Sequence, residues 1–302
     1  MHIERIDTFS GHRGPIYSLE QGMNSSMFYS AGSDGWVVQW NLEKPDVGKV
    51  IAQIEGSVYA MRLDSAEGIL WVGQNYEGIH GVNVAQQERV FSIPMPNQAI
   101  YSIYFWGSQV WLGHDAGLIT VLDRETKQVL RHIKAGQKSA RTICLLDIGK
   151  IAVGYSDGWI RVFDSEFQLL ELWQAHQNSV FSMIYRESDQ LIISVGRDAH
   201  IKSYSLQDKR EINSIPGHIY AINDVVFSPD GLHIATGSMD KTIKIWESET
   251  LQLKKVIDYA RYGSHQNSVN RLIWSPFENL LVSCSDDKNI SVWKIHERNL
   301  LI

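Results

Sequence analysis

The chain lacks most of the features that mark secreted scaffolds, membrane proteins and nucleotide or metal enzymes. Only two cysteines occur in 302 residues, Cys144 and Cys284, both in apolar contexts and without CxxC spacing. That argues against a disulfide framework or a thiolate metal site and reads as reduced, buried thiols. No run approaches the roughly 18 apolar residues of a membrane span, and the start Met1-His2-Ile3-Glu4-Arg5 has no apolar signal-peptide core. The expectation is a cytoplasmic chain with no membrane partner. Charge of one sign is also scarce: 28 Lys and Arg against 34 Asp and Glu leave a net charge of -6, which does not suit a nucleic-acid binder, since neutralising phosphates takes clustered cations. There is no GxxxxGK phosphate loop and no metal-ligand spacing, so neither cofactor nor metal is expected. Sustained helical periodicity is missing as well.

What the chain has is repetition. A turn recurs at Asp34, Glu77, Ala116, Asp157, Asp198, Asp240 and Asp287, giving spacings of 43, 39, 41, 41, 42 and 47 residues. Between turns lie short apolar runs rich in Val, Ile, Tyr, Phe and Trp, split by Gly, Asp, Asn and Ser, which is strand and hairpin chemistry. Asp34-Gly35 and Asp157-Gly158 are two-residue hairpin signals, because the turn needs positive φ that these residues tolerate. Each repeat then makes about four antiparallel strands, and seven such repeats predict stacked or radial blades.

Gly11-His12 with Asp34 and Trp40, Gly217-His218 with Asp240 and Trp246, and His265 with Asp287 and Trp293 resemble the Gly-His and Trp-Asp landmarks of WD-repeat β-propellers. Only the last residue of each Trp-Asp pair departs, as Asn41, Glu247 and Lys294. The resemblance covers residues 1–302 as a single unit. It implies an all-β, seven-bladed propeller of four-stranded antiparallel blades, closed when Ile3 to Phe9 supply the outer strand of the last blade.

The same resemblance explains the recurring His, Ser or Thr, and Asp. The sets His12, Ser30, Asp34; His176, Ser194, Asp198; His218, Thr236, Asp240; and His265, Ser283, Asp287 invite a hydrolase reading. Four sets in one register contradict a single nucleophilic triad. The family implies instead a hydrogen-bonded chain across the strands, with Trp40, Tyr204, Trp246 and Trp293 as fourth members. Blades 2 to 4 depart together: no Gly-His precedes them, the hydroxyl position becomes Val72, Leu112 and Val153, and the Trp position becomes Asn83, Leu122 and Phe163. Joint loss of both partners is what packing permits, whereas loss of one is costly.

In similar propellers the residue after the first apolar position of each inner strand points into the top of the central channel. Here those residues are Tyr17, Tyr59, Tyr101, Arg141, Phe181, Asn223 and Asn270, and the turns add Ser33, Tyr76, Asp115, Ser156, Arg197, Met239 and Asp286. Aromatics and Arg dominate interface energetics, though the same side chains could simply cap the core. Arg131, Lys134, Lys138 and Arg141 form a stretch without Asp or Glu that suits either an acidic partner or a solvated loop. A five-residue insertion places Tyr259, Arg261 and Tyr262 in the loop before His265; it reads as interface-rich or as neutral. The leading expectation is a non-enzymatic, monomeric scaffold binding a protein or peptide over its narrow face. The alternative is a small-ligand sensor or enzyme using the channel, and a subunit of a larger assembly fits the first reading equally.

Overall fold

The computed structural model describes residues 1–44, 47–95, 97–147 and 149–296. The described chain forms seven sheets of four antiparallel strands each. Blade 1 illustrates the order from channel to rim: Ile16–Gln21, Met27–Gly32, Trp36–Asn41 and Lys49–Gln53. Antiparallel connection puts the turn between the second and third strands at the same end as the loop leading into the next blade. That end is called the top face below.

Blade 7 takes its outer strand from the other end of the chain. His2–Phe9 pairs with Ile290–His296, from His2 opposite His296 to Phe9 opposite Ile290, with an irregularity between Arg5 and Asp7. The first strand therefore closes the ring and leaves no unpaired edge on the third strand of blade 7.

The apolar residues gather into seven core clusters, one per blade interface. Phe9 stacks on Phe28 and Trp40 at the seam between blades 7 and 1, with ring centroids 5.8 and 5.4 Å apart. Alternation along the middle strands sends side chains into the interfaces on both sides of each sheet, which is why these strands read as nearly continuous apolar runs. Among the described residues no helix is long and apolar enough to cross a membrane.

Strand register corrects blade 2. Trp40 lies opposite Phe28, two residues before Ser30; in blade 2 Val82 lies opposite Leu70, two residues before Val72. Val82 and not Asn83 therefore occupies the Trp position, and Tyr76 and not Glu77 the turn-Asp position. The hairpin itself has the usual length, since Val72 lies opposite His80 as Ser30 lies opposite Val38, so the one-residue error comes from taking the acidic Glu77 for the turn residue where Tyr76 stands, at φ 70°.

Candidate functional site

Inside the blades the polar residues form closed chains. His12 Nδ1 lies 2.9 Å from Asp34 and its Nε2 2.7 Å from Ser30 Oγ, which also accepts from Trp40 Nε1 at 2.7 Å. Blade 6 repeats this with His218, Asp240, Thr236 and Trp246 at 2.9, 2.8 and 2.9 Å, and blade 7 with His265, Asp287, Ser283 and Trp293 at 2.9 Å throughout. The assignment that satisfies every group has a neutral imidazole: Nδ1–H donates to Asp, the hydroxyl donates to Nε2, and the indole N–H donates to the hydroxyl. Burial pushes the Asp240 carboxyl up, but bonds from His218, Thr242 and the Ile219 amide outweigh it and hold it below the usual carboxylate range. Asp198 is likewise held at about 2, where bonds from His176 and two backbone amides outweigh burial.

Blade 5 is shorter by one member. His176 bonds Asp198 and Ser194 at 2.8 and 2.9 Å, but Tyr204 does not complete the chain. Its ring lies 4.1 Å from that of Trp173 at an interplanar angle of 9°. A phenol carries its donor at the tip, beyond the hydroxyl that an indole N–H reaches from its edge, so the Tyr ring stacks instead.

Blades 2 to 4 fill the vacated histidine space from another strand. The residue opposite the first inner-strand position is small where a histidine is present: Gly32, Gly196, Ser238 and Ser285. In blades 2, 3 and 4 it is Gln74, His114 and Tyr155. A Cβ on Gly196 would come within 3.3 Å of the His176 ring, so small residue and histidine go together. Blade 2 gains its own polar chain: His80 bridges Ser92 at 2.8 Å and Gln74 at 2.6 Å, and Gln74 donates to the Glu55 carbonyl. His114 is fully buried and neither ring nitrogen has a partner among the described residues; burial, with His132 adding, lowers it to about 4.

The top of the channel is built by a repeated backbone irregularity. Each inner strand has a register break at its second residue, between Ile16 and Ser18, Val58 and Ala60, Ile100 and Ser102, Ala140 and Thr142, Val180 and Ser182, Ile222 and Asp224, and Val269 and Arg271. The residues skipped are Tyr17, Tyr59, Tyr101, Arg141, Phe181, Asn223 and Asn270. A bulge leaves one residue unpaired and re-aims its side chain, and these seven, with Arg271, line one cavity of about 140 Å³ at the channel mouth. All seven are half-buried.

They pack on one another. Tyr17 stacks on Tyr59 at 4.8 Å, Tyr59 meets Tyr101 at 5.8 Å, and the Arg141 guanidinium lies 4.2 Å over Tyr101 and 5.2 Å over Phe181. Asn223 Nδ2 donates to Ser268 Oγ and the Val269 carbonyl, and Asn270 Nδ2 to the Ile16 carbonyl and Asp286, tying blades 6, 7 and 1 together. Burial raises the Tyr17 and Tyr101 phenols above their ordinary value, so both stay protonated at neutral pH.

Around this mouth Tyr76, Arg197 and Met239 are exposed at the top turns. The insertion forms one helical turn, Tyr259–Tyr262, with the Asp258 side chain accepting from the Arg261 amide and the Arg5 guanidinium holding the Gly263 carbonyl. Tyr259 and Arg261 face solvent, whereas Tyr262 packs on the blade 6 to 7 core. The basic stretch does not converge: Arg131 sits on the outer strand of blade 3, Lys134 holds the Ala116 carbonyl, Lys138 is exposed, and Arg141 lines the channel.

Two top-face residues escape the sequence reading. Ile219 is 80% and Tyr220 61% exposed, beside Met239 at 52%; the Met239 amide bonds Ala221 and Ser238 Oγ bonds Tyr220. The signal is in the chain: the pair after His is Arg13-Gly14, Gln177-Asn178 and Gln266-Asn267 in blades 1, 5 and 7, but Ile219-Tyr220 in blade 6.

Channel chemistry is unfavourable to a thiol nucleophile, since burial pushes Cys144 up to about 12. Among the described residues no group of three His, Cys, Asp or Glu is placed to hold a metal ion.

The family described as WD40, "WD domain, G-beta repeat", matches residues 3–41, 209–247 and 258–294. These stretches are the closing strand, the outer strand of blade 5 and most of blades 1, 6 and 7, where the histidine and Trp stand together. Human striatin is 24% identical over 258 residues, covering 83% of this chain and 30% of the relative, so the chain spans under a third of that protein. Eukaryotic translation initiation factor 3 subunit I of Drosophila grimshawi is 23% identical over 295 residues, covering 84% of this chain and 87% of the relative. The crystal structure of the WD40 β-propeller domain of Doa1 superposes with a TM-score of 0.87 at 17% identity, covering 98% of each chain.

Proposed function

For a chain that is a WD-repeat β-propeller, we propose a docking platform that binds a peptide segment or partner domain over its top face and performs no reaction of its own. One observation carries this reading. The blade 6 loop and turn present Ile219, Tyr220 and Met239 to solvent beside a channel mouth lined by four aromatics and two arginines. Exposed apolar side chains grouped near desolvated aromatic and Arg groups are what partner contacts use, and isolated surface apolar residues would need no such explanation.

Three of the four His–Ser/Thr–Asp sets support the same conclusion from the other side. The hydroxyls of Ser30, Thr236 and Ser283 are buried and taken by His and Trp together, so none faces a substrate. Membership in an assembly fits as well: one relative is by its name a subunit of a translation initiation factor. The free thiols of Cys144 and Cys284 suit a reducing compartment such as the cytoplasm.

Affinity capture from native extract, quantified for three forms of the chain, tests the proposal. The combined change Ile219→Ser, Tyr220→Ser, Met239→Ser should lose captured partner by about tenfold or more, while Leu169→Ser, Leu170→Ser, Leu172→Ser on an outer strand should not. Loss only in the outer-strand variant moves the platform to the side of the ring. A reproducible turnover with no captured protein favours a channel ligand or enzyme instead.

A further inference from the structure

The channel mouth holds a cation that its surroundings leave without a counter-charge. Arg141 projects from the bulge of the blade 4 inner strand, flanked by Tyr101 of blade 3 and Phe181 of blade 5 at 4.2 and 5.2 Å. Among the described residues no carboxylate comes within 4.0 Å of it, whereas Arg62, Arg124, Arg161, Arg186 and Arg271 each have one. The groups that act on its charge are the Tyr101 and Tyr59 phenols and the Arg271 guanidinium. Of the carboxylates around the ring, Asp224 is engaged by Ser182, Arg271 and the Leu272 amide and Asp286 by Asn270, while Asp115 at a top turn acts on the Tyr101 phenol and forms no ion pair with Arg141.

A partly desolvated cation without an anion is costly to hold. The two rings sit against the guanidinium from neighbouring blades, and the Tyr101 hydroxyl also reaches it. A guanidinium carries five N–H donors, so contact with Tyr101 leaves others for a carboxylate entering the cavity that Arg141 lines.

We propose that Arg141 receives one glutamate or aspartate side chain of a peptide segment lying across the top face. This rests on the docking reading above and specifies its chemistry. A single fork matches a single charge. A phosphate brings nearly two charges, and the second guanidinium at the mouth, Arg271, is already committed to Asp224. The aromatic walls keep water from the ion pair and line the approach for the methylenes of the incoming side chain, while Ile219, Tyr220 and Met239 two blades away offer an apolar rest for its neighbours.

The full chain is titrated by fluorescence anisotropy with labelled, end-blocked heptapeptide pools whose central residue is fixed as Glu, Gln or phosphoserine and whose flanks are random. The Glu pool should bind about tenfold tighter than the Gln pool, and Arg141→Gln should bring the two within about twofold at an unchanged melting temperature. If Arg141→Gln does not fold, Arg141→Lys takes its place: it keeps the charge, loses the fork, and should cut the Glu preference at least about threefold. Equal binding of Glu and Gln pools to the wild-type chain overturns the inference and leaves top-face docking standing. Preference for phosphoserine, or a Glu preference that survives in both variants, also overturns it. No binding by any pool overturns the acidic-segment inference and leaves docking of a partner domain to the capture experiment.

Discussion

His218 and His114 show the two fates of a buried imidazole in this ring. His218 joins Asp240 to Thr236, and Thr236 in turn holds Trp246. His218→Ala strands Asp240 and Thr236 inside the blade and should cost about 1 to 3 kcal/mol in urea unfolding. His114 has no partner to strand, so His114→Phe at neutral pH should be close to neutral or stabilising. Burial lowers the folded His114 to about 4, below the ordinary 6.5 of an unfolded imidazole, so between those values the unfolded chain binds a proton that the folded chain refuses. Stability is therefore fully present above pH 6.5 and falls as pH drops toward 4, with about 2 kcal/mol lost by pH 5 through this residue. Unfolding curves at pH 7 and pH 5 should show that difference shrinking in His114→Phe, and an unchanged slope would contradict the assignment.

At the scale of elements, the closing strand carries the largest consequence. His2–Phe9 covers the third strand of blade 7 and plants Phe9 and Ile3 in two cores. Deleting residues 1–9 should give a chain that aggregates or melts far below the full-length form, because it uncovers an edge and opens two cores at once. A soluble, monomeric, equally heat-resistant deletion variant would refute the closure's role. Blade 2 offers a finer test of register. Val82 is buried opposite Leu70 whereas Asn83 is half-buried at the strand end, where its side chain accepts only the exposed Ala85 and Gln86 amides, so Val82→Asn should cost about 2 kcal/mol or more and Asn83→Ala about 1.

Over the whole molecule, the seven bulges act together. Each turns one side chain toward the axis, and the ring arranges them so that Tyr17, Tyr59, Tyr101, Arg141 and Phe181 form a continuous stack. Removing three of them, Tyr59→Ala, Tyr101→Ala and Phe181→Ala, should therefore lower stability by a few kcal/mol, given about 0.5 to 1.5 for each aromatic pair beyond its buried area. Thermal melts decide it: an unmoved midpoint would make the stack a surface ornament. The outer top face behaves differently, since Ile219, Tyr220 and Met239 contribute exposure and not core, and their replacement should leave the melt within a few degrees.

Repeat number, strand content, ring closure and the polar chains of blades 1, 6 and 7 were legible in the sequence, because they rest on local signals: alternating apolar residues, turn chemistry, and His, hydroxyl, Asp and Trp at constant offsets. So were the seven channel positions, since each follows the first apolar residue of its inner strand. Other features depended on packing across strands. Tyr204 occupies the Trp position yet stacks on Trp173, because reach to the Ser194 hydroxyl depends on ring geometry. Glu77 and Asn83 were misplaced by one residue because the acidic Glu77 mimics the turn Asp while Tyr76 holds that position, which only strand pairing reveals. The vacated histidine space of blades 2 to 4 is filled by Gln74, His114 and Tyr155 from a neighbouring strand, a compensation between residues distant in sequence. Arg141's want of a counter-charge belongs to the closed ring as well, for it depends on which groups seven separate blades bring to one axis.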